Sequence, residues 1–354
     1  MKRRPTRRDF LQGAVGEGPR AGQAAPADTA RTGAGCLVRL SRRAMACEFE
    51  ICLPADQYGR GAETALEALD LVEHLESQLS VFRAESEISR INRTAAERPV
   101  EVEPRLFALL ELAMRLCGET GGAYDITAGP LWEVWGFARR AAAIPAAGQL
   151  AEARQRVGGH LVELDSPRRT VRFLRPGVQL NLGSIGKGYA VDCCAGRLLE
   201  GGLSDFLIHG GHSSILARGA GTPAAQAAGW LVGLRDPVRP DRRVGQLRLA
   251  DRALGTSGAQ FQSFRHQGRR YGHLLDPRTG WPAEGVLSAT ALAPNAAWAD
   301  GLSTALYVLG PEGARAYCRE HPEVAAVLLT PAEGPDRWVL HTAGTVPDLG
   351  QPAP

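Results

Sequence analysis

Hydrophobic and polar positions follow two different periods along the chain. Residues 36–54, CLVRLSRRAMACEFEICLP, alternate between apolar and polar, which predicts two short strands or one bent strand. Residues 61–79 repeat leucine or valine every three or four positions with acids between them, which predicts an amphipathic helix. Because strands and helices alternate with glycine-containing connections, the predicted fold class is α/β or α+β.

Further segments continue the same two periods. Residues 104–120 predict a second helix that stops at the following Gly-Gly pair. Residues 171–183 and 206–219 predict strands with glycine turns, and Val178–Leu182 is predicted to be a buried strand. Residues 138–158 are rich in alanine and arginine, which predicts a surface helix or a loop insertion.

Composition and charge narrow the class of protein. The chain has 354 residues, of which 44% are hydrophobic and 22% charged, as in soluble globular proteins. Residues 1–43 hold ten Lys or Arg against three Asp or Glu, so the total charge of +3 leaves −4 for the remainder. A mildly acidic body disfavours nucleic acid as a partner.

The first 35 residues form a separate leader. TRRDFL at 6–11 resembles a twin-arginine export signal, but no apolar stretch of about 7–15 residues follows it. Two interpretations stay open: a disordered leader on a cytoplasmic protein, or a degenerate signal on an exported or membrane-associated one. The folded domain is predicted over residues 36–345, followed by a frayed tail at 346–354.

Cysteine and histidine spacing disfavours a zinc site. Seven cysteines are spread without a C-x-x-C pair, and HGGH at 209–212 lacks the i, i+4 spacing of a helical zinc pair. Adjacent Cys193 and Cys194 fall in a predicted helix, where we expect a buried structural role for at least one of them.

A glycine-rich stretch, NLGSIGKGYAVD at 181–192, joins an apolar run to a helix predicted from Tyr189 to Leu199. Free backbone N–H groups and the helix dipole at such a junction attract an anion, and Lys187 adds a full charge. The spacing fits neither G-x-x-x-x-G-K-[ST] nor G-x-G-x-x-G. A phosphate site and an ordinary turn are therefore both open.

Residues 294–311 predict a helix that begins after an asparagine N-cap and ends at a glycine followed by proline. In this helix Asp300 and Thr304 share one face, and Ser303 lies beside them. Such oxygens suit Mg²⁺, whose remaining ligands come from substrate phosphates. The alternative is a solvated aspartate and a threonine bonded to the helix backbone.

Two more stretches contain groups suited to a site. RRYGHLLDPRTGWP, 269–282, holds His273, a candidate base, and Asp276, which either orients it or belongs to the following turn. GGAYDITAGPLWEVWGF, 121–137, holds aromatic residues that wall a pocket for a flat ring or pack in the core. For Trp132 and Trp135 the core is the favoured interpretation.

Six motifs, taken in order, resemble the ApbE family of FAD:protein FMN transferases over residues 40–330. They are FRAESEISRIN, GGAYDITAGPL, NLGSIGKGYAVD, TSG, HLLDPRTG and ADGLSTAL. The resemblance implies a T-fold-like α/β (α+β) architecture of mixed sheets with packed helices. It also implies Mg²⁺-dependent transfer of FMN from FAD to a threonine or serine hydroxyl of an acceptor protein, through a phosphoester bond and with release of AMP.

The resemblance further implies roles for individual residues. Lys187 and the glycine loop would hold the pyrophosphate, and His273 would be the base for the acceptor hydroxyl. The implied Mg²⁺ ligands are the backbone carbonyl of Ser184 together with Asp300, Ser303 and Thr304. The positions that match FAD contacts are Met45, Phe82, Ala123, Tyr124, Asp125, Asn181, Lys187 and Leu275.

Four positions depart from the family pattern. Asn181 and Ala259 stand where aspartate is common, and His209 and His212 stand where asparagine and an acidic or amide residue are common. The alternatives to transfer are an FAD-binding protein, an FAD pyrophosphatase releasing FMN and AMP, and a nucleotide-dependent kinase based on the loop alone. The intact lysine, histidine and metal pair favour the transferase.

Overall fold

The computed structural model describes residues 36–139, 141–221, 229–258, 262–334, 336–347 and 349–350. The predicted leader and Ala259 lie outside the described residues, as do Asp348 and the last four residues of the predicted frayed tail. Among the helices that the structure describes, none combines the length and the apolar character needed to cross a membrane.

Helices and strands alternate along the chain, as predicted. The helices are α1 (Tyr58–Leu79), α2 (Glu87–Thr94), α3 (Pro104–Glu119), α4 (Gly129–Val134), α5 (Ala147–Arg154), α6 (Gly186–Glu200) and α7 (Ala296–Glu320). The strands are β1 (Leu37–Ala44), β2 (Cys47–Pro54), β3 (Val100–Glu101), β4 (Val162–Asp165), β5 (Thr170–Phe173), β6 (Phe206–Gly210), β7 (Ser214–Arg218), β8 (Trp230–Arg235), β9 (Arg243–Leu249), β10 (Arg252–Gly258), β11 (Ser263–His266), β12 (Arg269–Gly272), β13 (Ser288–Ala293), β14 (Ala325–Pro331) and β15 (Trp338–Ala343).

The main sheet has eight strands in the order β1-β2-β6-β7-β10-β13-β14-β15, and all neighbouring strands are antiparallel. Smaller sheets are formed by β3-β5-β4, by β8-β9 and by β11-β12. The two strands predicted over 36–54 are confirmed as the hairpin β1–β2. Its turn residues Met45 and Ala46 have φ of 48° and 58°, the left-handed conformation of two-residue hairpin turns. The α/β (α+β) class is confirmed.

The two faces of the main sheet pack against different partners. One face packs against α1, α6 and α7 in the large core, and the other packs against β8–β9. Because side chains alternate along a strand, β10 places side chains on both faces of the sheet. Ser257 contacts α7, whereas Leu254 packs beneath β8–β9. Groups on both faces therefore meet at the end of β10.

A third apolar cluster surrounds Trp135. This side chain is fully buried and donates its indole N–H to the Gly280 carbonyl at 2.8 Å, so its predicted core role is confirmed. Helix α5 lies inside the predicted insertion at 138–158 and buries Leu150 and Ala153 in the same cluster. The insertion therefore contributes to the fold as well as to the surface.

The prediction of a strand at Val178–Leu182 is wrong. The Leu180 N–H donates to the Asn92 side-chain oxygen at 2.8 Å, and the Leu180 carbonyl accepts from the Asn92 amide at 3.0 Å. The Asn181 N–H donates to the Ile126 carbonyl at 2.7 Å. Because these bonds satisfy the buried backbone, the apolar segment needs no neighbouring strand.

Helix α7 breaks at Gly310, where φ is 70° and ψ is −173°. The first segment ends there as predicted, and Pro311 starts a second segment that continues to Glu320. At the beginning of α7, the Asn295 side chain accepts the Trp298 N–H at 2.9 Å, as predicted for an N-cap.

Part of the predicted frayed tail is paired with β9. Gly350 exchanges two backbone hydrogen bonds with Gln246, each 3.0 Å long. Val346 and Leu349 pack against the apolar cluster beneath β8–β9. The described residues of the tail therefore occupy the outer edge of β9.

Candidate active site

Most of the predicted site residues line one cavity of about 1170 Å³. The cavity includes the end of β10 and the first turns of α6 and α7. The predicted residues on its wall are Phe82, Ala123, Tyr124, Asp125, Asn181, Ser184, Lys187, His273, Leu275, Asp300 and Thr304. Met45 precedes the lining residue Ala46, and Ser303 is fully buried behind the wall.

The glycine loop passes directly into α6. The Asn181 side-chain oxygen accepts the Gly183 N–H at 2.9 Å, so this departure from aspartate keeps an acceptor that holds the loop. Helix α6 begins at Gly186, three residues before the predicted start at Tyr189. Lys187 consequently lies in the first helical turn, on the cavity wall.

Two glycines allow α7 to approach α6 and β10 closely. A Cβ atom at Gly188 would lie 2.1 Å from the Ala296 carbonyl oxygen and 2.8 Å from the Asp300 Cβ. A Cβ atom at Gly255 would lie 2.3 Å from the Ala299 carbonyl oxygen. Only glycine fits these positions without moving backbone, and the close approach places Asp300 where the three elements meet.

Asp300 is 4% exposed, and protein groups orient its carboxylate. Its Oδ2 accepts the Gly188 N–H at 2.9 Å, and its Oδ1 accepts the Ser214 hydroxyl at 2.8 Å. Lys187 Nζ lies 3.9 Å from Oδ2. Since a carboxylate oxygen has two lone pairs, each keeps acceptor capacity. No local sequence pattern marks Ser214, which is 86 residues away along the chain.

Three hydroxyls form a chain of hydrogen bonds with a defined direction. Ser303 Oγ donates to the Asp300 carbonyl at 2.8 Å, so in its 2.8 Å contact with Ser257 Oγ it is the acceptor. Because Ser257 donates its hydroxyl proton to Ser303, it can only accept from Thr304, whose Oγ1 donates to Ser257 Oγ at 3.1 Å. Thr304 therefore keeps its own lone pairs for the cavity, and Ser303 acts behind it.

The donor set of this corner fits a hard divalent cation. Asp300 and Thr304 offer free lone pairs on oxygen, and Ser184 lies on the same wall, which together are ligand types that Mg²⁺ prefers. Over the described residues, no three His, Cys, Asp or Glu side chains are grouped in a way that could hold a metal. The nitrogen and sulfur ligands that zinc prefers are therefore not gathered there.

His273 is held in one neutral tautomer. Its Nδ1 lies 3.0 Å from the Gln262 carbonyl oxygen, which only accepts, so Nδ1 carries the proton and Nε2 keeps a lone pair. Burial lowers the pKa of His273, and the charge of Lys187 acts in the same direction. The Trp132 indole N–H donates to the His273 carbonyl at 3.0 Å. A neutral imidazole with a free Nε2 is suited to act as a general base.

Of the two interpretations of Asp276, the structure supports the turn and not the orientation of His273. The Asp276 Oδ1 accepts the Arg278 backbone N–H and Nε, and its Oδ2 accepts the Arg278 Nη2, all at 2.9 Å. The Gly280 N–H donates to the Asp276 carbonyl at 2.8 Å. The alternative interpretation as a turn is confirmed, because the arginine takes both carboxylate oxygens.

Aromatic side chains border the cavity. Phe82 is 73% exposed on the cavity wall. Trp132 is half-buried: it packs against the apolar cluster around Trp135, as predicted, and it also lines the cavity. Tyr124 is buried, and its hydroxyl lies near the Ser184 side chain without a hydrogen bond of ordinary geometry. Burial raises the pKa of Tyr124, which keeps the hydroxyl protonated. An unpaired buried hydroxyl beside a cavity is a donor that a ligand can satisfy.

The other predicted FAD residues have identifiable structural contacts. The Met45 N–H donates to Glu76 Oε2 at 2.9 Å, which fixes the β1–β2 turn against α1. Asp125 Oδ1 accepts the Thr127 N–H at 2.8 Å and the Thr127 hydroxyl at 2.6 Å. Leu275 is buried on the cavity wall. These contacts hold the wall in place before any ligand binds.

The histidines of HGGH line the cavity beside β8–β9. His209 is paired with Ile215, and Ile215 with Leu254, so the three side chains share the sheet face that β8–β9 covers. The ring centroids of His209 and His212 lie 4.1 Å apart with the ring planes tilted by 38°, and His209 Nε2 lies 3.5 Å from Glu50 Oε1. Burial lowers the pKa of His209. The cavity therefore continues around the end of the sheet onto this second face.

Comparisons with known proteins point to one family. The model of the ApbE family matches residues 45–328. An FAD:protein FMN transferase of Treponema pallidum (strain Nichols) is 34% identical over 291 residues, which are 79% of each chain. Another of the same name, from Klebsiella pneumoniae (strain 342), is 31% identical over 269 residues, which are 74% of this chain and 75% of the relative.

Solved structures agree in fold. The flavin transferase ApbE from Vibrio cholerae matches with a TM-score of 0.74 and 29% identity, covering 87% of this chain and 97% of that one. An ApbE protein from Thermotoga maritima matches with a TM-score of 0.75 and 27% identity, again over 87% and 97%. Because the family model spans most of the chain and the bacterial relatives share its length, this protein belongs to the ApbE family.

Proposed function

We propose that this protein transfers the FMN half of FAD to a threonine or serine hydroxyl of an acceptor protein and releases AMP. The observation that supports it most is the gathering of three chemically distinct groups on one cavity wall. These are the cationic Lys187, the oxygen corner of Asp300 and Thr304, and the neutral His273 with its free Nε2. Simple binding of a flavin requires no such base.

The transfer step follows from these groups. His273 Nε2 takes the proton of the acceptor hydroxyl, whose oxygen forms a bond to the FMN phosphorus. The phosphoanhydride bond to AMP breaks at the same centre, and AMP leaves with the bond's electron pair. The charge of Lys187 and the positive end of the α6 dipole would face the pyrophosphate.

Asp300, Thr304 and the carbonyl of Ser184 are the groups that would hold Mg²⁺. When bound there, the ion would neutralise charge on the phosphate oxygens. The Gly188 N–H and the Ser214 hydroxyl donate to the Asp300 carboxylate and fix its orientation in the absence of the ion. Ser303 contributes through the hydroxyl chain, which turns the lone pairs of Thr304 toward the cavity.

The flavin and ribityl portions of FAD would contact the remaining wall. Tyr124 offers its unpaired hydroxyl, and Phe82 offers an exposed ring for stacking. Ala123, Asp125, Asn181 and Leu275 line the same wall. Met45 would contact FAD from the β1–β2 turn, next to the cavity-lining residue Ala46.

The test is incubation with FAD, Mg²⁺ and a threonine-containing acceptor, followed by in-gel flavin fluorescence after denaturation. We expect covalent flavin on the acceptor and one AMP for each flavin transferred. Bound FAD with no covalent flavin would refute the transfer in favour of a flavin-binding protein. Equal AMP release with and without the acceptor would identify an FAD pyrophosphatase instead.

A pair of variants at Thr304 tests the metal corner. Thr304→Val keeps the shape of the side chain but removes its lone pairs, whereas Thr304→Ser keeps a hydroxyl. We expect Mg²⁺ affinity and AMP release to fall in Thr304→Val and to survive in Thr304→Ser. Equal behaviour of the two variants would contradict the assignment of Thr304 as a ligand.

A further inference from the structure

The cavity has a second arm that the proposed FAD contacts leave unused. The whole cavity has a volume of about 1170 Å³, which exceeds the roughly 300–1,000 Å³ typical of pockets for a small molecule. The arm runs over the sheet face that holds His209 and Ile215, and it is bordered by β8. The proposed transfer has a polypeptide as its second substrate, and this arm is the part of the cavity left to receive it.

Strand β8 presents one of its edges to this arm. All six residues of β8, Trp230–Arg235, line the cavity. Trp230, Val232 and Leu234 are buried, whereas Leu231 is 58% exposed. In the part of the chain that the structure describes, β8 pairs only with β9. Its other edge is therefore available to a further strand.

The register of β8–β9 identifies the groups on that edge. Gln246 of β9 uses both its N–H and its carbonyl to bond Gly350, on the side away from β8. Its partner across the ladder, Gly233, therefore belongs to a non-hydrogen-bonded pair, and its N–H and carbonyl point away from β9. Two residues earlier, Leu231 has the same orientation. Neither Leu231 nor Gly233 makes another backbone hydrogen bond within the described residues.

Charge at the end of the arm favours an acidic partner. Arg235, Arg242 and Arg243 line this end, and no carboxylate among the described residues pairs with their guanidinium groups. One acid, Asp241, lies among them. Arg39, at the β1 side, lies 4.0 Å from Glu50. The three unpaired arginines leave an excess of positive charge beside the β8 edge.

We propose that the acceptor polypeptide binds as an extended strand along the free edge of β8, with acidic residues toward the arginines. The N–H and carbonyl groups of Leu231 and Gly233 pair with the acceptor backbone, the mode in which a peptide adds a strand to a sheet edge. The same cavity contains His273 and Lys187, so a strand in the arm leads the acceptor hydroxyl toward the base. This inference rests on the proposed function and adds the place and the chemistry of the second substrate.

A matched pair of variants tests the edge. Leu231→Pro and Leu231→Ala both remove the leucine side chain, but only proline removes the N–H that faces the arm. Pairing with β9 does not use this N–H, so the hairpin is retained. The probe is a library of decapeptides with one fixed central threonine, assayed for covalent flavin with FAD and Mg²⁺.

We expect the labelled peptides to be enriched in aspartate and glutamate, and Leu231→Pro to raise their KM about two- to ten-fold over Leu231→Ala, the loss of one hydrogen bond. The FAD dissociation constant and the kcat at saturating peptide should not change. Hydrogen exchange adds a direct readout, because a labelled peptide should protect the amides of Leu231 and Gly233. The Val232 amide, bonded within the hairpin, should be protected already and reports that the variants are folded.

Four results would overturn the inference. Equal KM values for the proline and alanine variants, or enrichment in lysine and arginine, would refute docking at β8 while leaving the transfer intact. A parallel loss of FAD affinity in Leu231→Pro would assign the arm to FAD. If wild-type protein labels no peptide although it binds FAD, the proposed function fails, and the docking site fails with it.

Discussion

The close approach of α6 and α7 at Gly188 leads to a quantitative prediction for Gly188→Ala. The new methyl group would lie 2.1 Å from the Ala296 carbonyl oxygen, and ordinary contacts begin at 3.4 Å. The difference of 1.3 Å must be met by moving backbone, because the nearest atom is not part of a flexible side chain. The displaced segment of α7 includes Asp300, whose Cβ would lie 2.8 Å from the methyl group.

The cost of this movement has two parts. Forcing a methyl group into a packed junction destabilises a fold by about 1–3 kcal/mol, which exceeds the gain of about 0.5–1 kcal/mol from better helix propensity. A displacement of about 1 Å in a catalytic group lowers a rate by about 10²-fold. We therefore expect Gly188→Ala to lower both the free energy of unfolding and the rate of AMP release.

Gly196→Ala in the same helix is the matched control. Nothing lies within 4 Å of a Cβ atom at Gly196, so this variant should gain stability by about 0.5–1 kcal/mol and keep its activity. Urea unfolding of the two variants, with calorimetric titration of Mg²⁺, makes the comparison. If Gly188→Ala is as stable as Gly196→Ala and binds Mg²⁺ equally well, the reasoning from the helix junction is refuted.

Three further predictions concern groups around the site. Asp192→Ala leaves two N–H groups of α7 without their acceptor and should lower the free energy of unfolding by about 1–2 kcal/mol. Because burial raises the pKa of Asp192 from 3.8 to about 6, the wild type should lose stability as the pH rises through this range, whereas the variant should not. Equal pH dependence of the two proteins in urea unfolding would contradict this prediction. Ser257→Ala removes the acceptor of the Thr304 hydroxyl and should lower Mg²⁺ affinity in calorimetry with a stability loss of about 1 kcal/mol; unchanged affinity would refute the hydroxyl chain. Because burial lowers the pKa of His273, kcat/KM should stay flat at neutral pH and fall only below the ordinary value of 6.5, whereas a fall beginning above 6.5 would exclude a neutral base.

Local patterns predicted the elements that depend on local periodicity. The helix expected at 61–79 is α1, Tyr58–Leu79, and the shared face of Asp300 and Thr304 follows from their i, i+4 spacing. The prediction placed the start of α6 too late because Gly186 and Gly188 have low helix propensity. At Gly188 the need for glycine arises from the close approach of α7.

Long-range contacts explain what the local patterns could not predict. The apolar run at 178–182 is not a strand because Asn92, 88 residues away from Leu180, satisfies its backbone. Trp132 and Trp135 both pack in the same apolar cluster, yet Trp132 also lines the cavity. Only the order of several motifs, which carries information about the whole chain, predicted the ApbE family correctly.

The free edge of β8 also bears on how copies of this protein behave toward one another. An unpaired strand edge is a template for self-association, and charged residues are one of the means by which proteins prevent it. With Arg235, Arg242 and Arg243 at one end of each β8, two copies that align their β8 strands in parallel bring like charges together. Salt at about 1 M shortens the Debye length to about 3 Å and screens this repulsion. Colloidal stability of concentrated solutions should therefore be greatest at low ionic strength.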